Sequence, residues 1–419
     1  MVKPGYKQSE VGIIPEDWGV STLRAAFPKL EAGVSVNSDN MTSSKYHVLK
    51  TSAVHNGIVD PAEVKPVIKA DYGRLKCPLV QGSIIISRMN TPALVGECGY
   101  VKNAPIDVYL PDRLWQVQNP KDSDYNFEWL NYLLNTKRYR DAVRATATGT
   151  SNSMKNISKE RLMEIDIPCL SLDEQNRISA ALSDIDTLIA NLEKLIAKKK
   201  AIKQGAMQEL LTGKQRLPGF DGKWADLIIG QNGYLLRETI DPQAYVSTLF
   251  WEYSMPAFDT GKEPVKTFGA DMHSKRTVIR GSVLLFNKLN VRQKRIWLVE
   301  ASESNSVCSS EFLPYYSDTI DLRLLAQLLS TEKITKDFIG MSTGTSNSQK
   351  RITPKNFLEY SVYMPTDINE QAAIADVLDD MDGEIGALEE KLYKAQLMKA
   401  GMMSELLTGR IRLIDKEDA

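Results

Sequence analysis

Between residues 275 and 295 the chain carries seven basic side chains and no acidic one. They are Lys275, Arg276, Arg280, Lys288, Arg292, Lys294 and Arg295, with Asn290 and Gln293 interleaved. Most of them follow the apolar run Gly281-Ser282-Val283-Leu284-Leu285. A similar run, Gly82-Ser83-Ile84-Ile85-Ile86, precedes Ser87-Arg88-Met89-Asn90-Thr91. Arginine and lysine pair with guanine edges or hold phosphates, and asparagine and glutamine pair with adenine. A charge run is also what any solvated face presents. Its place after corresponding strands in two parts of the chain is what points to DNA. The side chains assigned to that contact are Ser87, Arg88, Asn90, Thr91, Lys275, Arg276, Lys288, Asn290, Arg292, Gln293 and Lys294.

The hexapeptide Thr-Gly-Thr-Ser-Asn-Ser stands at 148–153 and again at 343–348, followed by Lys155 and Lys350. Hydroxyls, backbone N–H groups and a lysine suit a phosphate. They suit equally a polar turn that fixes a globular domain, and both readings stay open for Lys155 and Lys350. Catalytic constellations are missing. The sequence has no GxxxxGK[ST], no GxGxxG and no Asn/Asp-Pro-Pro-aromatic tetrapeptide of an amino-methyltransferase. No nucleophile elbow supports serine catalysis. Asp60, Glu63 and Lys65 faintly resemble a nuclease carboxylate–lysine set, but Pro61 and Pro66 place them in a loop. His47, His55 and His273 lack metal-ligand spacing. No catalytic, metal or cofactor residue is assigned.

A net charge of −1 over 419 residues confines any nucleic-acid surface to local patches. Such a length implies two to four domains. Four scattered cysteines without a CxxC pair, no apolar run long enough for a membrane span and no signal-peptide pattern imply a cytoplasmic protein with free, mostly buried thiols.

Candidate DNA-reading residues need elements to hold them, and the chain is organised around one that it contains twice. Residues 174–200 return without a gap at 370–396. Ile178, Leu182, Ile185, Ile189, Leu192 and Ile196 map onto Ile374, Leu378, Met381, Ile385, Leu388 and Leu392, each 196 positions on. Steps alternating four and three make a heptad seam. Ser171 with Glu174, and Asp367 with Glu370, read as capping boxes. Glu-Leu-Leu-Thr-Gly ends both copies, with Gly213 and Gly409 available for the left-handed C′ position. Each helix is then about 40 residues, or roughly 60 Å. Gly205 and Gly401 match inside them, which suggests either tolerance or a close approach of backbones at a crossing.

Upstream of each helix the repeat runs at an offset of 195: Leu133-Leu134-Asn135-Thr136 with Leu328-Leu329-Ser330-Thr331, the hexapeptide, and a short strand at 165–168 or 360–364. Short apolar runs at 47–49, 64–68, 83–87 and 95–101 predict a twisted mixed sheet in the first globular unit. Helices are predicted at 126–144 and 322–338. The fold class is α/β (α+β): two similar globular domains with mixed sheets, separated by two long antiparallel helices forming a coiled-coil rod with pseudo-twofold symmetry. The boundaries are 1–147 and 217–341 for the globular domains, and 148–216 and 342–419 for the repeated regions with their helices.

Taken together, the repeated TGTSNS and DEQ/NEQ helix starts, the ELLTG ends, the YKQSEVGIIPEDW opening and the texts GSIIISRMN and GSVLLFNKLNVRQK resemble the specificity (S) subunit of type I restriction–modification enzymes. The resemblance spans essentially the whole chain. It implies that each globular domain is a target recognition domain reading one half of a split double-stranded DNA site. The helices would set the gap and dock two methyltransferase (M) subunits. S-adenosylmethionine, ATP and Mg would belong to those and to two restriction (R) motor-nuclease subunits, not to this chain. KLNVRQK departs from the KLRPYL-like text of many members. Two other readings compete: a single-chain DNA methyltransferase or nuclease, and a coiled-coil adaptor that never touches DNA.

Overall fold

The computed structural model describes residues 2–39, 43–148, 154–300, 302–344 and 349–414. It divides into two compact units, Met1–Glu193 with Glu390–Ala419, and Lys194–Glu389. The division falls inside each long helix, so each unit holds one globular domain and the halves of two helices.

The first unit is built on a six-stranded mixed sheet in the order Glu31–Ala32, Leu114–Val117, Ile84–Ser87, Cys98–Tyr100, Gly57–Val59, Val54–His55. Only Cys98–Tyr100 with Gly57–Val59 is parallel. Ile84–Ser87 is buried at every position, which is why three isoleucines stand in a row rather than alternating with polar residues. A three-stranded sheet of Val108–Tyr109, His47–Leu49 and Val64–Pro66 flanks it. The second unit repeats the centre with Phe312–Tyr316, Val283–Asn287 and Ile296–Val299, beside a five-stranded sheet containing Arg276–Val278 and Leu249–Tyr253.

Each predicted closing helix is in fact two: Phe127–Leu134 and Lys137–Ala145, then Leu322–Leu329 and Glu332–Met341. The break is chemical. Thr136 and Thr331 turn their hydroxyls back to the carbonyls of Leu133 and Leu328, closing the first helix, and Thr331 also caps the second. Apolar periodicity runs through the break and hides it.

The long helices are Leu172–Leu210 and Ile368–Leu406. Gly213 and Gly409 take φ of 70° and 69°, the left-handed conformation expected after the helix ends. Within the second unit the two halves run antiparallel, tied by Lys203–Asp382 at 2.5 Å and Lys199–Glu384 at 2.6 Å. Within the first unit Lys399 meets Asp186 at 2.6 Å, the counterpart of Lys203–Asp382 shifted by one repeat.

The heptad seam serves two purposes. Ile178 and Leu182 are fully buried in the first globular core with Trp18, Phe27 and Trp129; Ile374 and Leu378 join Phe338 and Phe357 in the second. Ile185, Ile196 and Ile385 are buried further along, whereas Ile189, Leu192, Met381, Leu388 and Leu392 are half-buried, as a seam between only two helices leaves them.

The first capping box is half-formed, and at the second Asp367 Oδ1 accepts from Asn369 N (2.9 Å) rather than from Glu370 N. Ser171 Oγ accepts from Glu174 N at 3.2 Å, but the Glu174 carboxylate does not return to the cap. It takes Arg412 (2.7 and 2.9 Å) and Trp18 Nε1 (3.1 Å) instead. Glu370 takes Arg216 (2.5 and 2.7 Å) and Trp224 Nε1 (3.2 Å) in the same way. The neighbouring Gln175 and Gln371, both fully buried, bind backbone of the globular domain: Gln175 Oε1 accepts from Asn126 N and Gln371 Oε1 from Asp321 N, each at 2.8 Å. The Glu-Gln pair at each helix start is therefore a fastener between helix and domain.

A Cβ added at Gly205 or Gly401 meets nothing within 4 Å, so close helix approach does not explain either glycine. Gly205→Ala and Gly401→Ala should each stabilise the protein by about 0.5–1 kcal/mol. The check is the urea midpoint of the full chain at constant m-value; a lower midpoint would mean the glycines serve the helices.

Cys98 and Cys308 are buried and Cys77 half-buried, as expected, but Cys169 is exposed. Burial pushes the Cys98 and Cys308 thiols up to about 12.

Candidate nucleic-acid interface

The buried strand Ile84–Ser87 delivers the first turn. Ser87 is fully enclosed and accepts a hydrogen bond from Asn90 Nδ2 at 3.2 Å, so it props the turn and does not face a ligand. Arg88 N donates to Arg113 O (3.1 Å), and Arg88 O accepts from Ile157 N (2.9 Å). Met89 and Asn90 then pair antiparallel with Asn156 and Lys155. On its other side that strand pairs with Ala147–Thr148. The strands bracketing the first hexapeptide thus form a hairpin lying against the turn. Gly149–Ser153 themselves are outside the described residues, as are residues 345–348 of the second hexapeptide.

The second unit builds the same juncture. Lys288 N donates to Glu311 O (3.0 Å), Ile352 N to Lys288 O (3.0 Å) and Asn290 N to Lys350 O (2.9 Å). Bridges pair Leu289 and Thr343 with Arg351. Hydrogen-bond register therefore equates Arg88 with Lys288, Asn90 with Asn290 and Lys155 with Lys350. Ser87 opposes Leu114 as Asn287 opposes Phe312. This corrects the alignment of the apolar runs: the structural offset is 200, one more than matching Gly82-Ser83 to Gly281-Ser282 implies. Asn290 holds φ at 51°, which asparagine tolerates better than most side chains.

Sequence reasoning had no means to see which candidates are already engaged. Arg276 is tied to Glu252 (2.7 and 2.8 Å), Lys294 to Glu332 (2.5 Å) and Arg295 to Asp259 (2.7 and 2.8 Å). The Arg295 guanidinium holds the Asp259 carboxyl below its usual range. The run without acidic residues is thus neutralised in part by acids distant in sequence. Lys275, Arg292 and Gln293 are exposed, as is Thr91. Arg88 is half-buried with its guanidinium 5.4 Å from the Trp115 ring centroid.

Asp60 and Glu63 are occupied by their own loop: Asp60 Oδ1 accepts from Ala62 N, and Glu63 Oε2 from Lys50 Nζ and Ser52 Oγ. No cluster of three metal-ligating side chains occurs among the described residues, and no described helix is long and apolar enough to cross a membrane.

Two equivalent pairs of residues at the junctures escaped the sequence reading. Arg113 and Glu311 occupy equivalent positions behind the turns, and Asn156 and Arg351 equivalent positions on the hairpins. In the second unit Arg351 pairs with Glu311 (3.1 and 3.2 Å). Their partners in the turn lie more than twenty residues away, and no local signal marks them.

Residues 15–204 match the family model described as the type I restriction modification DNA specificity domain. Two curated relatives come from Methanocaldococcus jannaschii. The type I restriction enzyme MjaVIII specificity subunit is 27% identical over 51% of this chain and 49% of its own length. The MjaX specificity subunit is 25% identical over 49% of this chain and 48% of its own. The matched part thus spans about half the length of these relatives. The fold is shared with the type I restriction–modification system S subunit from M. genitalium, at TM-score 0.60 and 16% identity over 96% of this chain and 98% of the other. It is also shared with a chain solved in a study of complex assembly and conformational transition of the type I R-M system, at TM-score 0.53 and 16% identity over 95% and 99%. Residues 15–204, just under half of the chain, are thus similar to the type I restriction modification DNA specificity domain.

Proposed function

We propose that the chain is the sequence-specific DNA-binding specificity subunit of a type I restriction–modification complex, and that it is not itself an enzyme. Each globular unit reads one half of a bipartite, asymmetric duplex site. The long helices set the gap and dock two methyltransferase subunits, which two motor-nuclease subunits join for restriction. S-adenosylmethionine, ATP and Mg act on those partners, in the cytoplasm.

The observation that carries this reading is the duplicated juncture. A turn bearing Arg88 and Asn90, or Lys288 and Asn290, is hydrogen-bonded to a hairpin bearing Lys155 or Lys350. Two such sites in one chain, on domains whose other loops differ, suit a duplex with two unlike halves. Partner docking is supported by apolar side chains the helices leave in solvent. Leu195 and Ile202 stand one heptad apart in the second unit, and Tyr393 and Leu397 one turn apart in the first; each is at least 40% exposed.

The test is sequencing of N6-methyladenine in the host genome with and without the gene. The expected result is a split motif with unlike halves that vanishes on deletion. Unchanged methylation, or identical halves, would overturn the proposal.

A further inference from the structure

We infer that the matched residues of the two junctures form a sequence-independent anchor for the phosphodiester backbone, and that base discrimination lies in the unmatched residues beside them. This rests on the DNA reading above and divides the labour within it.

The two globular units have different sheets around a shared centre, and their loops are unlike. At the juncture, however, three positions keep their chemistry in register: a long cation (Arg88, Lys288), an asparagine (Asn90, Asn290) and a lysine (Lys155, Lys350). Two readers of unlike half-sites share no base pattern. What any two half-sites have in common is the phosphate backbone, so chemistry held constant between the readers suits the backbone.

Directly beside these residues the chemistry is not held constant. Arg113 of the first unit is replaced by Glu311 of the second, a reversal of charge, and Asn156 is replaced by Arg351. In the second unit this pair is closed into a salt bridge. An arginine–carboxylate pair presents a different pattern of donors and acceptors from an arginine and an amide.

A second observation concerns unsatisfied polar atoms at the same place. Arg88 Nε, Asn156 Oδ1 and Asn287 Nδ2 are buried without a hydrogen-bond partner. Two belong to the first juncture and one to the second. Buried polar groups in folded proteins are normally satisfied. Arg88 Nε is a donor beside the turn, and a phosphate oxygen is the acceptor a guanidinium matches best.

The experiment uses the full chain assembled with the methyltransferase subunits of its host. It is titrated at several salt concentrations with a duplex carrying the methylated motif and with an unrelated duplex. Lys288→Ala and Arg88→Ala should each weaken binding to both duplexes by about tenfold and lower the salt slope by about 1, leaving their affinity ratio unchanged. Lys288→Arg and Arg88→Lys should restore most of the loss. The pair Glu311→Gln with Arg351→Gln should instead change the preferred bases in one half, with the slope unaltered. Should Lys288→Ala alter base preference at constant slope, or change nothing, the anchor is wrong although DNA binding stands. A wild-type complex that binds neither duplex removes the DNA reading and the anchor with it.

Discussion

Arg216→Ala should destabilise the second unit by about 3–5 kcal/mol, more than any surface ion pair in the protein would cost. The Glu370 carboxylate is fully enclosed and receives both arms of Arg216. Trp224 Nε1 is its third donor. Removing the arginine leaves a buried charge with one neutral donor, and the cost is the desolvation no longer compensated. Leu210, Leu211, Ile374 and Leu378 belong to the same core as the helix start that Glu370 anchors, so the loss should spread through the unit. Restoring the site with the double substitution Arg216→Met and Glu370→Leu should recover most of the stability, because a well-packed apolar pair has no charge to bury. Urea unfolding of the full chain would show a new early transition for Arg216→Ala and its loss in the double variant. Two variants equally stable to wild type would mean the carboxylate is hydrated after all.

This fastener shows where the sequence was legible and where it was not. The repeated Glu-Gln stood out because both copies keep it, and capping chemistry gave it a local meaning. Its actual work is long-range: the partners of Glu174 and Glu370 lie 238 and 154 residues away. The same holds at the two turn–hairpin junctures. The turns and the hexapeptides were each found from the repeat, yet nothing local says that Asn90 lies opposite Lys155. Strand register is set by side-chain packing across the sheet, which a single sequence does not display. The heptad seam was legible throughout, but its division between the globular cores and the helix pair was not. A leucine looks the same whether it meets a neighbouring helix or a sheet. The basic run misled in the opposite direction, since Glu252, Asp259 and Glu332, which neutralise part of it, belong to other elements.

Deleting residues 408–419 should unfold the first unit while leaving the second folded. In the second unit the path from the helix end through Gly213 and Arg216 to Trp224 is one continuous chain. In the first unit the same parts are contributed by two separate segments. Gly409 and Arg412 follow the second long helix, and Trp18 follows the opening hairpin of Tyr6–Ser9 and Gly12–Pro15. Tyr6 Oη donates to Gly409 O (3.0 Å), and Arg412 binds Asp17 and Glu174 together. The deletion therefore leaves Glu174, which is 2% exposed, buried without its cation, at a cost of about 3–5 kcal/mol before the lost packing on Trp18 is counted. Asp17 adds a dependence on pH. Its hydrogen bonds with Arg412 lower the carboxyl from its ordinary value of 3.8, so the contact is complete above that value and is lost as pH falls through the lowered one.

A circular permutation should rescue the first unit. A chain opened at Gly219, which is exposed and unhindered, with residues 1 and 419 joined by a glycine–serine linker, should keep both units folded. Opening there gives the second unit the two-segment arrangement the first already tolerates, and the linker gives the first unit the continuous path of the second. Limited proteolysis would read the deletion as rapid digestion of the first unit alone, and the permuted chain as resistant throughout. A permuted chain that is digested, or a deletion that is not, would mean the tail contributes little and that the likeness between the two clasps is one of sequence only.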